Sequence, residues 1–194
     1  MKKIAAIGFT IATTISYGTP LGDSTLQLWQ ISYVAPTQFA DGYTVRGTAK
    51  QFEGYFNFAG GQLTSLVGKV PITALSSGLE SRDASIRELV FASHEGSSSP
   101  DSIEFSAEPS TCQRQEAFWA CDVRGAFRIR NEWRPVLGRG YISNYQGRMW
   151  LHAEGQIKLS DYSFYAPGPA ALKVADQVQV TIDLLGPAAS ETDF

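Results

Sequence analysis

Few side chains in this sequence could serve as a base, a nucleophile or a metal ligand. There are two histidines, His94 and His152, and two cysteines, Cys112 and Cys121. A nucleophile needs an activating base beside it. His94 lies in a serine-rich polar stretch, and His152 falls on the polar side of an alternating pattern, so neither belongs to a catalytic spacing. The sequence has no G-x-S-x-G elbow, phosphate-binding loop, dinucleotide fingerprint or H-E-x-x-H pair. Gly138-Arg139-Gly140 is too short to cradle a phosphate and reads as a bend in a strand. Glu154 and Asp161 could act as acid and base, but their spacing does not bring them together. Arg46, Arg82 and Asp83 read either as an ion pair at the mouth of a helix or as contacts for a polar head group. Two cysteines and two distant histidines lack the close spacing of a metal site. The expectation is a protein without catalysis, metal or cofactor.

The elements that must position these residues are strands. In residues 119–129, Trp119, Cys121, Val123, Gly125, Phe127 and Ile129 alternate with Asp122, Arg124 and Arg128. A period of two marks a half-buried strand, because successive side chains leave opposite faces of the pleat. The pattern returns at 149–159 and at 178–184, where Val178, Val180, Ile182 and Leu184 share a face. Shorter strands are expected at 26–34, 43–49, 52–58, 66–72, 103–107 and 136–143. Short Gly- and Asn-containing links such as 143–147 favour antiparallel pairing, and closing such a sheet into a barrel removes its exposed edges. The one helix is expected over 82–91, with Ser81 as N-cap, Asp83 in the first turn and Ile86, Leu89 and Val90 as its apolar stripe, plugging one end of the barrel.

At 194 residues the chain suits a single all-β domain. Charges are sparse and mixed, with a formal net charge of −3 and no basic stripe, so nucleic acid is not expected as a partner. Met1-Lys2-Lys3, an apolar run from Ile4 to Ile15 and the small-residue exit at Ser16 and Gly18 read as a signal peptide, residues 1–18, placing the mature protein in the periplasm or outside the cell. A first strand is the competing reading of the same stretch. Residues 19–186 form the barrel domain, and 187–194 are expected to be a disordered tail. Cys112 and Cys121 flank a stretch that could double back as a hairpin, giving either a disulfide, favoured by export, or two buried thiols.

Several segments in order carry a resemblance. They are VRGTAKQFEGYFNF at 45–58, VPITALSSGLESRDASI at 70–86, IEF at 103–105, GAFRIRNEWRPV at 125–136, and SDY at 160–162 followed by VADQVQVTIDL. Together the chain resembles the YceI family, bacterial polyisoprenoid-binding proteins with a lipocalin-like barrel. The resemblance spans about residues 24–185. It implies a closed antiparallel barrel, no catalysis, and an isoprenoid lipid or quinone held inside for transport, storage or sequestration. Where the family has H-S, G-V-T and a late Arg, this chain has Asp23-Ser24, Asn131-Glu132-Trp133 and Leu159. The expected lipid lining is Phe56, Phe58, Val70, Ile72, Ile103, Phe105, Trp119, Val123, Phe127, Met149, Leu151, Val178, Val180 and Ile182. Transient membrane contact and a homodimer are further candidate associations. The alternatives are a ligand-free barrel acting as an interaction or stress-response module, and a lipid-modifying enzyme.

Overall fold

Three two-residue turns set the pairing of the longest strands. Gly60 and Gly61, Arg130 and Asn131, and Gln146 and Gly147 all have positive φ, between 51° and 76°. Positive φ at both central residues is the hairpin geometry whose twist matches the strands it joins. Asn and Gly tolerate it best, which explains Asn131, Gly61 and Gly147. The computed structural model describes residues 30–36, 44–49, 51–91, 101–163, 176–189 and 194.

The strands are β1 Gln30–Pro36, β2 Thr44–Ala49, β3 Glu53–Ala59, β4 Gln62–Pro71, β5 Leu75–Ser76, β6 Ser102–Ala107, β7 Ser110–Arg114, β8 Phe118–Ile129, β9 Glu132–Tyr145, β10 Arg148–Lys158 and β11 Gln177–Ala188, with helix α1 at Glu80–Phe91. They form one antiparallel sheet in the order β3-β4-β6-β8-β9-β10-β11-β1-β2-β5, with β7 pairing β4 and β8. The chain is therefore mostly β with one described helix. The hydrogen-bonded path has two ends, β3 and β5, and no ladder among the described residues joins them, so the closed barrel expected from the sequence is not what the ladders show. The sheet does curl back on itself: a Cβ added at Gly186 on β11 would lie 2.7 Å from the ring of Phe56 on β3.

The alternation read from the sequence recurs as burial. Cys121, Phe127 and Ile129 are buried on β8, Met149, Leu151 and Ala153 on β10, and Val178, Val180, Ile182 and Leu184 on β11. One interior cluster collects these with Phe56, Phe58, Leu63, Leu66 and Phe105. In β4 the spacing changes from two to three between Leu63 and Leu66, because the register with β3 shifts between Asn57 and Phe58. Such a bulge returns both leucines to the core face.

Several expectations differ in detail. The helix begins at Glu80, so Ser81 lies in its first turn rather than capping it. The helix packs against β5 and the short 3₁₀ turn Ile72–Ala74. A second 3₁₀ turn, Leu159–Tyr162, buries Tyr162 near the turn from β8 into β9. Ile72 falls in the first of these turns instead of in a strand. The tail expected to be disordered from Pro187 begins inside β11, where Arg148 pairs with Ala188 and the Ala189 N–H donates to Gly147 O. Phe194 packs against the core. The signal peptide at 1–18, the start of the first strand at 26–29, His94 and the side chains of Ile86, Leu89 and Val90 lie outside what is described.

Candidate functional site: an apolar gap over small residues

The register across β8, β9, β10 and β11 places residues of one inward row opposite each other. Val123 faces Gly138, Gly138 faces Gly155, and Gly155 faces Val180. The next row runs Cys121, Gly140, Ala153, Ile182. Gly125 sits two residues along β8 from Val123, opposite Val136. Four glycines and an alanine thus meet on neighbouring strands of the inner face, and no bulky side chain grows from that patch.

Above it lies a cavity of about 40 Å³. Five of the residues expected to line a lipid tunnel border it: Phe105, Val123, Phe127, Val180 and Ile182. Phe105 and Phe127 form a tilted ring pair with centroids 5.7 Å apart. The remaining expected residues point elsewhere in the same interior: Phe56, Phe58, Val70, Ile72, Met149, Leu151 and Val178 are buried, while Ile103 and Trp119 are half-buried against the cluster. Sequence reading missed the bordering residues Leu66, Ala107, Gly125, Val136, Gly138, Ala153 and Gly155. The glycines fall on the inward phase of the alternation, which is the signal for them, although Gly138 and Gly140 taken alone read as a bend.

The glycines are not equivalent. A Cβ at Gly125 or Gly138 would press into the carbonyl oxygens of Ser106 and Glu154 respectively, so backbone itself occupies that space. A Cβ at Gly155 would find Val136 Cγ2 at 3.4 Å and Leu137 O at 3.7 Å, which is ordinary contact. Gly155 is the position where the gap is not enforced by the neighbouring strand.

Tyr162 is buried in the same interior cluster. Its hydroxyl donates to Phe127 O at 3.4 Å, and burial, with the nearby Asp161 charge, pushes its pKa up to about 12 against the opposing pull of Arg134. The disulfide joins Cys112 and Cys121, which face each other across β7 and β8. Both cysteines are buried.

The three charged residues picked out from the sequence separate. Asp83 is buried and accepts hydrogen bonds from the Ser76 hydroxyl at 3.1 Å, from the Ser77 N–H at 2.8 Å and from the Ser77 hydroxyl. Burial raises its pKa, but these bonds and the charge of Arg87 more than offset that and hold it below the usual carboxylate value. Arg82 donates to the Ser77 hydroxyl and carbonyl, each at 2.8 Å. Arg46 is exposed on β2, two residues from Thr48, whose partner is Ser76. Arg82 and Asp83 therefore brace the β5–α1 connection around Ser77.

On the outer face, His152 sits between two carboxylates. Its Nδ1 is 2.7 Å from Asp183 Oδ1 and its Nε2 is 3.1 Å from Glu154 Oε1. Tyr141 stacks on its ring with centroids 6.2 Å apart, and Trp150 lies at 5.9 Å. Partial burial alone would lower its pKa, but the bonds to and charges of Asp183 and Glu154 raise it above the ordinary value. Among the described residues no group of three or more potential ligands could hold a metal ion.

The sequence model of the YceI-like domain matches residues 29–185. Among solved structures, similar folds include BcnA of Burkholderia cenocepacia, with a TM-score of 0.63 and 14% identity over 80% of this chain and 96% of that one. The YceI protein of Campylobacter jejuni aligns with a TM-score of 0.61 and 14% identity over 98% and 100%. A polyisoprenoid-binding domain from Saccharophagus degradans, implicated in plant cell wall breakdown, aligns with a TM-score of 0.60 and 12% identity over 83% and 94%. No curated protein matches the sequence.

Proposed function

The chain belongs to the YceI-like domain family, and from that premise we propose that it is an exported binding protein. It holds an isoprenoid-type lipid, a polyprenyl chain or a quinone, in the interior of its sheet, carrying or sequestering it without chemical change. The observation that carries this reading is the apolar gap over Gly155, bordered by Phe105, Phe127, Val180 and Ile182. Burying a prenyl chain there gains about 0.8 kcal/mol per methylene-equivalent without polar partners. Of the bordering residues, the titratable one is Glu154, and its carboxylate is engaged on the outer face with His152. The Saccharophagus degradans neighbour, described as polyisoprenoid-binding, supports the lipid class. Export agrees with the disulfide, which persists in oxidising compartments, and with the residues at 1–18. In this reading the curled sheet closes as a barrel, with β3 brought to β11 where Phe56 meets Gly186, and the protein touches a membrane only to load and unload.

The cavity as it stands takes about one water-sized guest. A prenyl chain enters only when inward rings such as Phe105 and Phe127 turn aside. That small volume favours a second reading, in which the interior is simply packed core and the outer face recruits a protein partner.

Organic extraction of detergent-free protein followed by mass spectrometry separates the two. A stoichiometric prenyl lipid or quinone, absent from a folded Gly155→Val variant, supports the carrier. A clean extract together with no uptake of added geranylgeraniol overturns it.

A further inference from the structure

We propose that His152 is a proton-operated clamp on the β10–β11 wall of the cavity, holding it shut when the imidazole is protonated and loosening it when the proton leaves. The inference rests on the carrier reading only for its consequence for a guest; the clamp itself is a property of the empty protein.

The geometry places His152 directly behind that wall. Its strand neighbours Ala153 and Gly155 point inward and border the cavity, as do Val180 and Ile182 on β11. His152 pairs in register with Asp183, and Ala153 with Ile182, so the outer ion pair and the inner wall are adjacent rungs of one ladder. Both ring nitrogens face carboxylate oxygens. Only the imidazolium can donate from both. A neutral ring donates to one carboxylate and turns a lone pair towards the other.

Loss of the proton also removes the cation that separates Glu154 on β10 from Asp183 on β11. Glu154 and Asp183 are diagonal neighbours, since Glu154 itself faces Thr181, and like charges within reach on one face work against the pairing of the two strands. Arg139 faces Glu154, but among the described residues no other cation stands in register with Asp183, whose partners are His152 and Gln30. From β9, Arg139 stands opposite Glu154 and Tyr141 opposite His152; from β8, Asp122 stands opposite Arg139 and adds a further acid. On β10 itself, Arg148 donates to Gly186 O. Beyond β11, β1 offers Gln30 opposite Asp183. Protonation is favoured in this setting, in agreement with the raised pKa.

The test uses the full chain. Amide hydrogen exchange is followed across residues 153–156 and 179–182 between pH 5.5 and 8.5, corrected for intrinsic rates, beside release of geranylgeraniol loaded at pH 8.5, where the clamp is loose, and then shifted to each test pH. Protection is expected to fall about three- to tenfold as pH rises through the titration of His152, with release quickening in parallel. The step should vanish in His152→Gln and persist in His94→Gln. A flat profile in the natural protein, or an unchanged step in His152→Gln, overturns the clamp. If His152→Gln fails to fold, Glu154→Gln removes one of the two carboxylates; a step of undiminished size in that variant equally overturns it. A step in exchange with no geranylgeraniol bound at any pH sustains the clamp and refutes the carrier.

Discussion

Two glycines that face each other on the cavity floor, Gly138 and Gly155, should respond to alanine with opposite signs. At Gly155 the added methyl meets Val136 Cγ2 at 3.4 Å and Leu137 O at 3.7 Å. It would bury one methyl in an existing gap, worth about 0.8 kcal/mol, and would stiffen the unfolded chain by about 0.4–1 kcal/mol. Together these raise stability by about 1–2 kcal/mol, or Tm by about 4 °C for a chain of this length. At Gly138 the methyl would overlap the carbonyl oxygen of Glu154, with Gly155 Cα at 3.5 Å behind it. Backbone in a ladder cannot turn away as a side chain does, so β9 and β10 must part locally. Overpacking of this kind costs about 1–3 kcal/mol, which cancels or exceeds the gain in the unfolded state. Urea and thermal unfolding of Gly138→Ala and Gly155→Ala measure both. A stabilised Gly138→Ala, or a Gly155→Ala weaker than the natural protein, would refute the assignment of the gap to Gly155.

Three further outcomes follow from the same geometry. Cys112 and Cys121 close a short loop, so Cys112→Ser with Cys121→Ser should lose about 2–3 kcal/mol, read as a Tm lower by several degrees; a reducing agent should do the same to the natural protein and nothing to the double variant. Asp83 has its folded pKa depressed, so its contribution is fully present above the ordinary carboxylate value and is lost as pH falls through the lower folded value. Unfolding free energies between pH 6 and 2 should show that acid limb flattened in Asp83→Asn, which is also less stable at pH 6. His152 has the opposite sign: its raised pKa gives stability below about pH 6.5 that is lost as pH rises through the folded value, and a proton NMR titration of the His152 ring reads the midpoint directly.

The strands were legible because burial on one face writes itself as alternation: the inward positions of residues 119–129, 149–157 and 178–184 recur as buried or half-buried residues. The disulfide was legible for a related reason, since a hairpin that aligns strands also aligns Cys112 with Cys121. What the sequence hides is register. Gly138 and Gly155 are seventeen positions apart, and only the ladder of β9 with β10 makes them neighbours. The Asp183–His152 contact spans 31 positions of the chain and is likewise a product of register. The 3₁₀ turn at Leu159–Tyr162, which buries Tyr162, has no periodicity to detect, whereas the helix at Glu80–Phe91 is legible in the sequence.

The distinction between forced and unforced glycines bears on why the gap exists. Gly125 and Gly138 are required wherever strands approach this closely, so their presence says nothing about a guest. Gly68 is covered by the ring of Phe105 and Gly186 by the ring of Phe56, so those absent side chains are already filled from elsewhere in the core. Gly155 differs from all four: the space is there, a methyl would fit it, and glycine in a strand interior costs stability relative to residues with a side chain. A core selected for packing alone would close that space with alanine, whose methyl makes only ordinary contacts there. Its remaining open, between Phe105 and Phe127 on one side and Val180 and Ile182 on the other, fits an interior that yields to an apolar guest at this point and is rigid at the others.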